Sequence, residues 1–264
     1  MNLQQSLGIS LPIIQAPMAG VQGHALAGAV SNVGGLGSLP CAMLTPDAMR
    51  RELAALKALS SGPFNVNFFC HNVPEPDMAC EAAWRAVLAP YYAEFGVDTS
   101  AIGEAPARAP FTAEAADVLA EFEPAVVSFH FGLPSSELLA RVRATGAKVL
   151  ATATTVEEAR WLEARGVDAI IAQGLEAGGH RGMFLSDDLT TQVGTLAMVP
   201  QIVRAVKVPV IARAVSRTYG EWQRRWRWAL QAFRSEPPTC SARKPLPSLY
   251  IGRRFRVMRR AIPR

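Results

Sequence analysis

The sequence predicts an α/β fold, a (β/α)8 TIM barrel that is incomplete at its C-terminal end, and three observations predict it. Short apolar runs alternate with helix signals from residue 11 to residue 212, the pattern of a parallel sheet with right-handed crossovers. The 264-residue length suits one such barrel, typically ~250 residues. No G-x-G-x-x-G follows the first apolar run, which disfavours a doubly wound dinucleotide-binding sheet.

The first strand is expected at LPIIQAPM (11–18), an apolar run stopped by Pro17. Residues 23–32 have small-residue helical character, and GGLGSL (34–39) reads as the second strand. Thr45, Pro46 and Asp47 mark a helix start, with the hydroxyl as cap and proline in the first turn. That helix runs to about Ser60 with Leu53, Leu56 and Leu59 among its apolar positions, and PFNVNFF (63–69) alternates as the third strand. Residues 70–110 are less regular, a loop insertion over the barrel with a helix expected at 78–95.

A helix at 113–122 leads into VVSFHF (126–131), the fourth strand, and Pro134 and Ser135 start a helix ending at Gly146. KVLATAT (148–154) is the fifth strand, followed by a Thr155-capped helix that stops before Gly166. DAIIAQG supplies the sixth strand, then come a long loop (174–194), a helix from about Thr195 to Val206, and VPVIA (208–212) as the seventh. Residues 213–264 offer no recognisable eighth strand.

Charge divides the chain at the same point. Residues 1–212 hold 13 Lys+Arg against 20 Asp+Glu, a net of −7; residues 213–264 hold 14 against 2, a net of +12. Three of the five tryptophans (Trp222, Trp226 and Trp228) fall in that second stretch. The expected organisation is therefore a barrel domain over 1–212 and an atypical Arg/Trp-rich tail over 213–264. No run approaches the roughly 18 apolar residues of a membrane span. The N-terminus lacks signal-peptide character. Cys41, Cys70, Cys80 and Cys240 lack metal-ligand or redox-pair spacing, which fits reduced thiols in the cytoplasm.

Chemistry in a parallel barrel gathers at the carboxyl ends of the strands. The stretch DAIIAQGLEAGGHRG (168–182) delivers there an amide, Gln173, and a glycine-rich turn with Gly178, Gly179 and the titratable His180. Gln15, Pro17, Met18, Asn65, Asn67, Ser128, His130, Thr152 and Thr154 are expected at the same end. Amides and backbone donors around a cavity suit a planar heteroaromatic ring, and the scarcity of acids argues against metal catalysis. Read alone, His130 between Phe129 and Phe131 fits either a catalytic or a core role, and Met18 either a ring contact or packing.

IIQAPMAGV, GGLGSLP, FNVNFF, VSFHFGLP, KVLATATTVEEA and DAIIAQGLEAGGHRG, in that order, resemble the nitronate monooxygenase family, formerly called 2-nitropropane dioxygenases. The resemblance spans 11–212, which is 202 of 264 residues. It implies an FMN-dependent barrel that oxidises alkyl nitronates, and nitroalkanes, with molecular oxygen to a carbonyl compound and nitrite, without a metal. By position it implies Met18 against the flavin ring with Gln15, Ala16 and Pro17 beside it, and Asn67 and Gln173 hydrogen-bonded to the flavin. It brings the Gly178–Gly179 backbone toward the ribityl phosphate side. His180 becomes the candidate base and His130 the second candidate.

After VPVIA the family continues with a glycine pair, a helix and an eighth strand, none of which residues 213–264 reproduce. The expectation is a frameshifted or disordered tail, with weakened FMN affinity; a basic arm for nucleic acid or anionic lipid, with EWQRRWRWALQAFR (221–234) as an interfacial helix, is the weaker reading. Two alternatives to the oxidase stay open. One is a flavin barrel of the same superfamily reduced by NADH or NADPH; the other is a non-catalytic remnant acting through its basic tail.

Overall fold

The computed structural model describes residues 3–73, 75, 77–102 and 109–213. All of these lie in a compact unit, Met1–Phe233, and a second unit, Arg234–Arg264, lies outside the described residues. The tail from residue 214 onward, with its expected frameshift and basic helix, lies outside them as well.

Helices α1 (Leu3–Leu7) and α2 (His24–Asn32) precede β1 (Gly37–Pro40). Then come α3 (Pro46–Leu59), β2 (Phe64–Phe69), α4 (Met78–Glu94), α5 (Ala113–Phe122) and β3 (Val126–His130). The order continues with α6 (Ser136–Ala144), β4 (Lys148–Ala153), α7 (Val156–Ala164), β5 (Ala169–Gln173), α8 (Thr195–Ala205) and β6 (Val210–Arg213). The six strands form one all-parallel sheet in sequential order, with helices between successive strands. Among the described residues this is a (β/α)8 barrel of six strands, incomplete as far as they extend. The helix starts follow the sequence closely: Thr45, Thr112, Ser135 and Thr155 accept the N–H three residues on, at 3.3, 3.2, 3.3 and 3.1 Å.

The first expected strand is a correction. Residues 11–18 make a single parallel bridge, Ile14 opposite Leu36, rather than a strand. Pro12 and Pro17 have no N–H to extend a ladder. Instead the Gln15 side chain supplies the next rung, its Nε2 donating to the Ser38 carbonyl and its Oε1 accepting the Ser38 N–H, both at 3.1 Å.

Alternation along the strands separates two apolar layers. Outward residues such as Val66, Phe68, Val127, Phe129, Val149, Ala151, Ile170 and Ala172 pack against the helices, including Leu53, Leu56, Leu119, Leu162 and Ile202. Inward residues Leu36, Val126, Leu150 and Ala169 form a second cluster at the amino ends of the strands, closed by Leu7 and Ile9. Helix α1, which the sequence reading did not foresee, positions that plug. Ile14 and Ile211, from segments at opposite ends of the sheet, pack on this one cluster, so the sheet curls.

Above the apolar floor the inner face turns polar. Ser38, Asn65, Asn67, Ser128, His130, Thr152, Thr154 and Gln173 are all buried there. The insertion carries α4, none of whose residues is buried. No helix among the described residues is long and apolar enough to cross a membrane.

One close approach fixes α2 on the sheet. A Cβ on Gly37 would lie 1.9 Å from the Ala27 carbonyl oxygen and 2.7 Å from Ser31 Oγ. Gly37→Ala must therefore push α2 outward, and we expect a loss of about 3 kcal/mol, read as a lowered urea midpoint with an unchanged slope.

Candidate active site

The residues at the carboxyl ends of β3, β4 and β5 hold the loop 174–194 over the polar inner face of the sheet. At the end of β5, Gln173 is fully buried and directs both its amide nitrogen and its amide oxygen to this loop. Its Nε2 donates to the His180 carbonyl at 2.8 Å and its Oε1 accepts the Gly182 N–H at 2.8 Å. Gly182 must be glycine, because a Cβ there would stand 2.5 Å from His130 Cε1 and 2.9 Å from Thr152 Cγ2. The Arg181 guanidinium donates to the carbonyls of Gly174 and Leu175. The Glu176 carboxylate accepts the Thr195 N–H at 3.0 and 3.1 Å, placing negative charge at the first turn of α8.

Glu158, in the first turn of α7, anchors the far half of the loop. Its side chain is buried, one oxygen accepting from Thr154 N–H at 2.6 Å and Thr154 Oγ1 at 2.8 Å. The other oxygen accepts the Phe184 N–H at 2.7 Å and the Leu185 N–H at 3.4 Å. Thr154 Oγ1 in turn accepts from Gln192 Nε2 at 3.1 Å.

His130 ends β3 with both ring nitrogens engaged. Nε2 lies 3.0 Å from the His180 carbonyl oxygen and Nδ1 lies 3.0 Å from Thr152 Oγ1. A carbonyl can only accept, so Nε2 carries the proton and Nδ1 accepts from the Thr152 hydroxyl. Burial, followed by the charge of Arg213, pushes the His130 pKa down to about 4. His130 is thus a neutral, hydrogen-bonded imidazole across the physiological range. The His180 ring, by contrast, lies on an exposed residue, with its centroid 5.5 Å from that of Phe69 and 6.1 Å from that of Phe131.

Phe69 and Phe131 form an apolar wall, 5.3 Å apart and edge-to-face, that also meets His71 and His130. Phe131 adopts φ 66°, a left-handed conformation costing a bulky L-residue about 1–2 kcal/mol. That turn leaves its ring 4.5 Å from the His130 ring.

The remaining expected residues divide into two groups. Asn67 Nδ2 donates to Ser128 Oγ at 2.9 Å and to the Ser128 carbonyl at 3.2 Å, on the inner face beside the cavity. Met18 is 52% exposed and Ala16 is exposed, while Pro17 is half-buried between them. Gly178 has open space around it, and Gly179 takes φ 82°. Gln15 bonds the backbone of Ser38 through both ends of its amide. Sequence reasoning passed over Glu158, Phe69 and Gln192; for Glu158 a signal existed, since Thr155-x-x-Glu158 has capping-box spacing. Asn65 Oδ1 and Gln192 Oε1 are buried acceptors without a hydrogen-bond partner. Among the described residues no group of three or more His, Cys, Asp or Glu is arranged to hold a metal ion.

The buried His130 makes stability depend on pH. Its folded pKa of about 4 lies below the ordinary 6.5, so the unfolded chain binds the extra proton. The contribution is complete above pH 6.5 and is lost as pH falls toward 4, by up to roughly 3 kcal/mol. Urea unfolding followed across that window is expected to show a shallower pH slope in His130→Gln than in the parent protein.

A family model described as nitronate monooxygenase matches residues 1–214. A nitronate monooxygenase of Paraburkholderia phytofirmans is 46% identical over 213 residues, covering 78% of this chain and 57% of the relative. Among solved structures, a nitroalkane oxidase from Streptomyces ansochromogenes superposes with a TM-score of 0.70 at 40% identity, covering 79% of this chain and 60% of that one. A FabK variant from Thermotoga maritima gives 0.63 at 25% identity, covering 87% and 60%. The chain spans less than three-fifths of the length of the curated relatives it matches.

Proposed function

This chain belongs to the nitronate monooxygenase family, and on that premise we propose that it is a flavin-dependent oxidoreductase. Its substrates in this reading are alkyl nitronates and their parent nitroalkanes, oxidised by molecular oxygen to a carbonyl compound and nitrite. The observation that carries the reading is the placement of His180. Its backbone is clamped by His130 and Gln173, while its ring lies beside the Phe69–Phe131 wall at the carboxyl ends of the strands.

The cavity residues fit FMN. Asn65 Oδ1 and Gln192 Oε1 are buried acceptors in want of N–H or O–H donors, and the flavin ring and its ribityl chain carry both. The open space at Gly178, with the Arg213 guanidinium beside Gly179, suits an anionic end. Asn67, Gly178 and Gly179 would hold the group, with Ala16, Pro17 and Met18 along one side. Gln15 and Gln173 would support the cavity walls, since their amides already hold Ser38 and the 180–182 segment. When bound, FMN supplies the electron-transfer and oxygen chemistry.

The chain's own residues supply the rest. The His180 imidazole takes the α-proton from a neutral nitroalkane, and when protonated it balances the charge of a nitronate. Phe69 and Phe131 exclude water and meet the alkyl chain. His130 keeps its proton on Nε2 and holds the His180 carbonyl throughout. It therefore fixes the base and does not act as one.

His180→Ala, loaded with FMN, is expected to lose nitrite release from a neutral nitroalkane by 100-fold or more while losing less on the preformed nitronate. Full activity of that variant on both substrates would sink the assignment.

A further inference from the structure

We propose that Glu158 is a positioning residue of this site: its carboxylate fixes the loop 180–192, and through it the location of His180. The proposal deepens the oxidase reading and rests on it for the role of His180, but the loop anchor itself does not depend on that reading.

Glu158 is 1% exposed, and no Lys or Arg among the described residues forms an ion pair with it. An uncompensated buried carboxylate is costly, and an apolar side chain of similar volume often serves stability better at such a position. Four donors and the amino end of α7 offset that cost. What distinguishes Glu158 is where those donors come from. In an ordinary capping box the N3 carboxylate returns to the N-cap N–H. Here it passes that residue and takes Thr154 N–H and Oγ1–H at the end of β4, on the cavity side. Its second oxygen reaches across to Phe184 and Leu185, on the loop just beyond His180.

The carboxylate also sets the direction of a short chain of hydrogen bonds. Because the Thr154 hydroxyl gives its proton to Glu158, its oxygen can only accept from Gln192, which turns Gln192 Oε1 away from Thr154. Glu158 thus ties three points together: the end of β4, the middle of the loop and its far end. The near end of the same loop is tied independently by Gln173 and His130, which meet at the His180 carbonyl. His180 lies between the two sets of ties. Without Glu158 the loop keeps the Gln192–Thr154 bond and the Trp161–Phe184 ring contact but loses the acceptor for its backbone at 184 and 185.

Glu158→Gln keeps the volume but replaces one acceptor oxygen with a donor NH2, so one pair of donors, at Thr154 or at Phe184 and Leu185, loses its acceptor. In the full chain without added flavin, hydrogen exchange at the Phe184 and Leu185 amides is expected to speed up at least 10-fold, with core strand amides unchanged. Trypsin cleavage after Arg181 should accelerate in parallel. In the flavin-loaded protein, nitroalkane kcat should fall at least 10-fold with a displaced acid limb of its pH profile, and flavin affinity should stay within a few-fold. Thr154→Ser, which keeps the hydroxyl, should behave as the parent, and Thr154→Val should fall between. Unchanged exchange at Phe184 in Glu158→Gln overturns the proposal, as does a loss of kcat with no change in the pH profile. If the parent protein turns over no nitroalkane, the oxidase reading fails, and the exchange measurement still decides whether Glu158 anchors the loop.

Discussion

The arrangement at the cavity mouth depends on one atom, the carbonyl oxygen of His180, which receives N–H bonds from both His130 and Gln173. Two donors on one acceptor set the rest in order. The proton of His130 must sit on Nε2, so Thr152 must turn its hydroxyl toward Nδ1, and the ring of His130 is locked between β3 and β4. Gln173, already committed through Nε2, can only accept at Oε1, and Gly182 comes in close enough to donate there. A backbone group thereby organises three side chains on three strands.

Much of the fold was legible because it rests on local chemistry. Caps at Thr45, Thr112, Ser135 and Thr155 and the continuous apolar runs of β3, β4 and β5 settle where helices and strands begin. The first strand misled because periodicity counts side chains, whereas a ladder counts N–H groups, and Pro12 and Pro17 supply none. Helix α1 went unseen because a five-residue helix has too short a period to read.

The site was legible in a different sense. The glycine-rich corner at 178–182 and the amide of Gln173 stood out by residue type, and the structure brings them together with His130 and Thr152. Residue type does not say which way an amide or an imidazole spends its bonds. Gln15 and Gln173 read as ligand-facing amides, and each also holds backbone through its nitrogen and its oxygen. Glu158 was passed over for the complementary reason: it has ordinary capping-box spacing, and its longer reach is set by where the loop returns in space, 26 residues later at Phe184.

The rung made by Gln15 has a consequence for how the sheet meets other molecules. An exposed strand edge offers a row of alternating donors and acceptors on which a foreign strand can grow. Beside β1 that row is filled by one backbone bridge and one side-chain amide, between two prolines. A side chain can imitate a single rung but cannot pass the ladder on. This flank of the sheet therefore ends in a segment poorly suited to template intermolecular β-assembly.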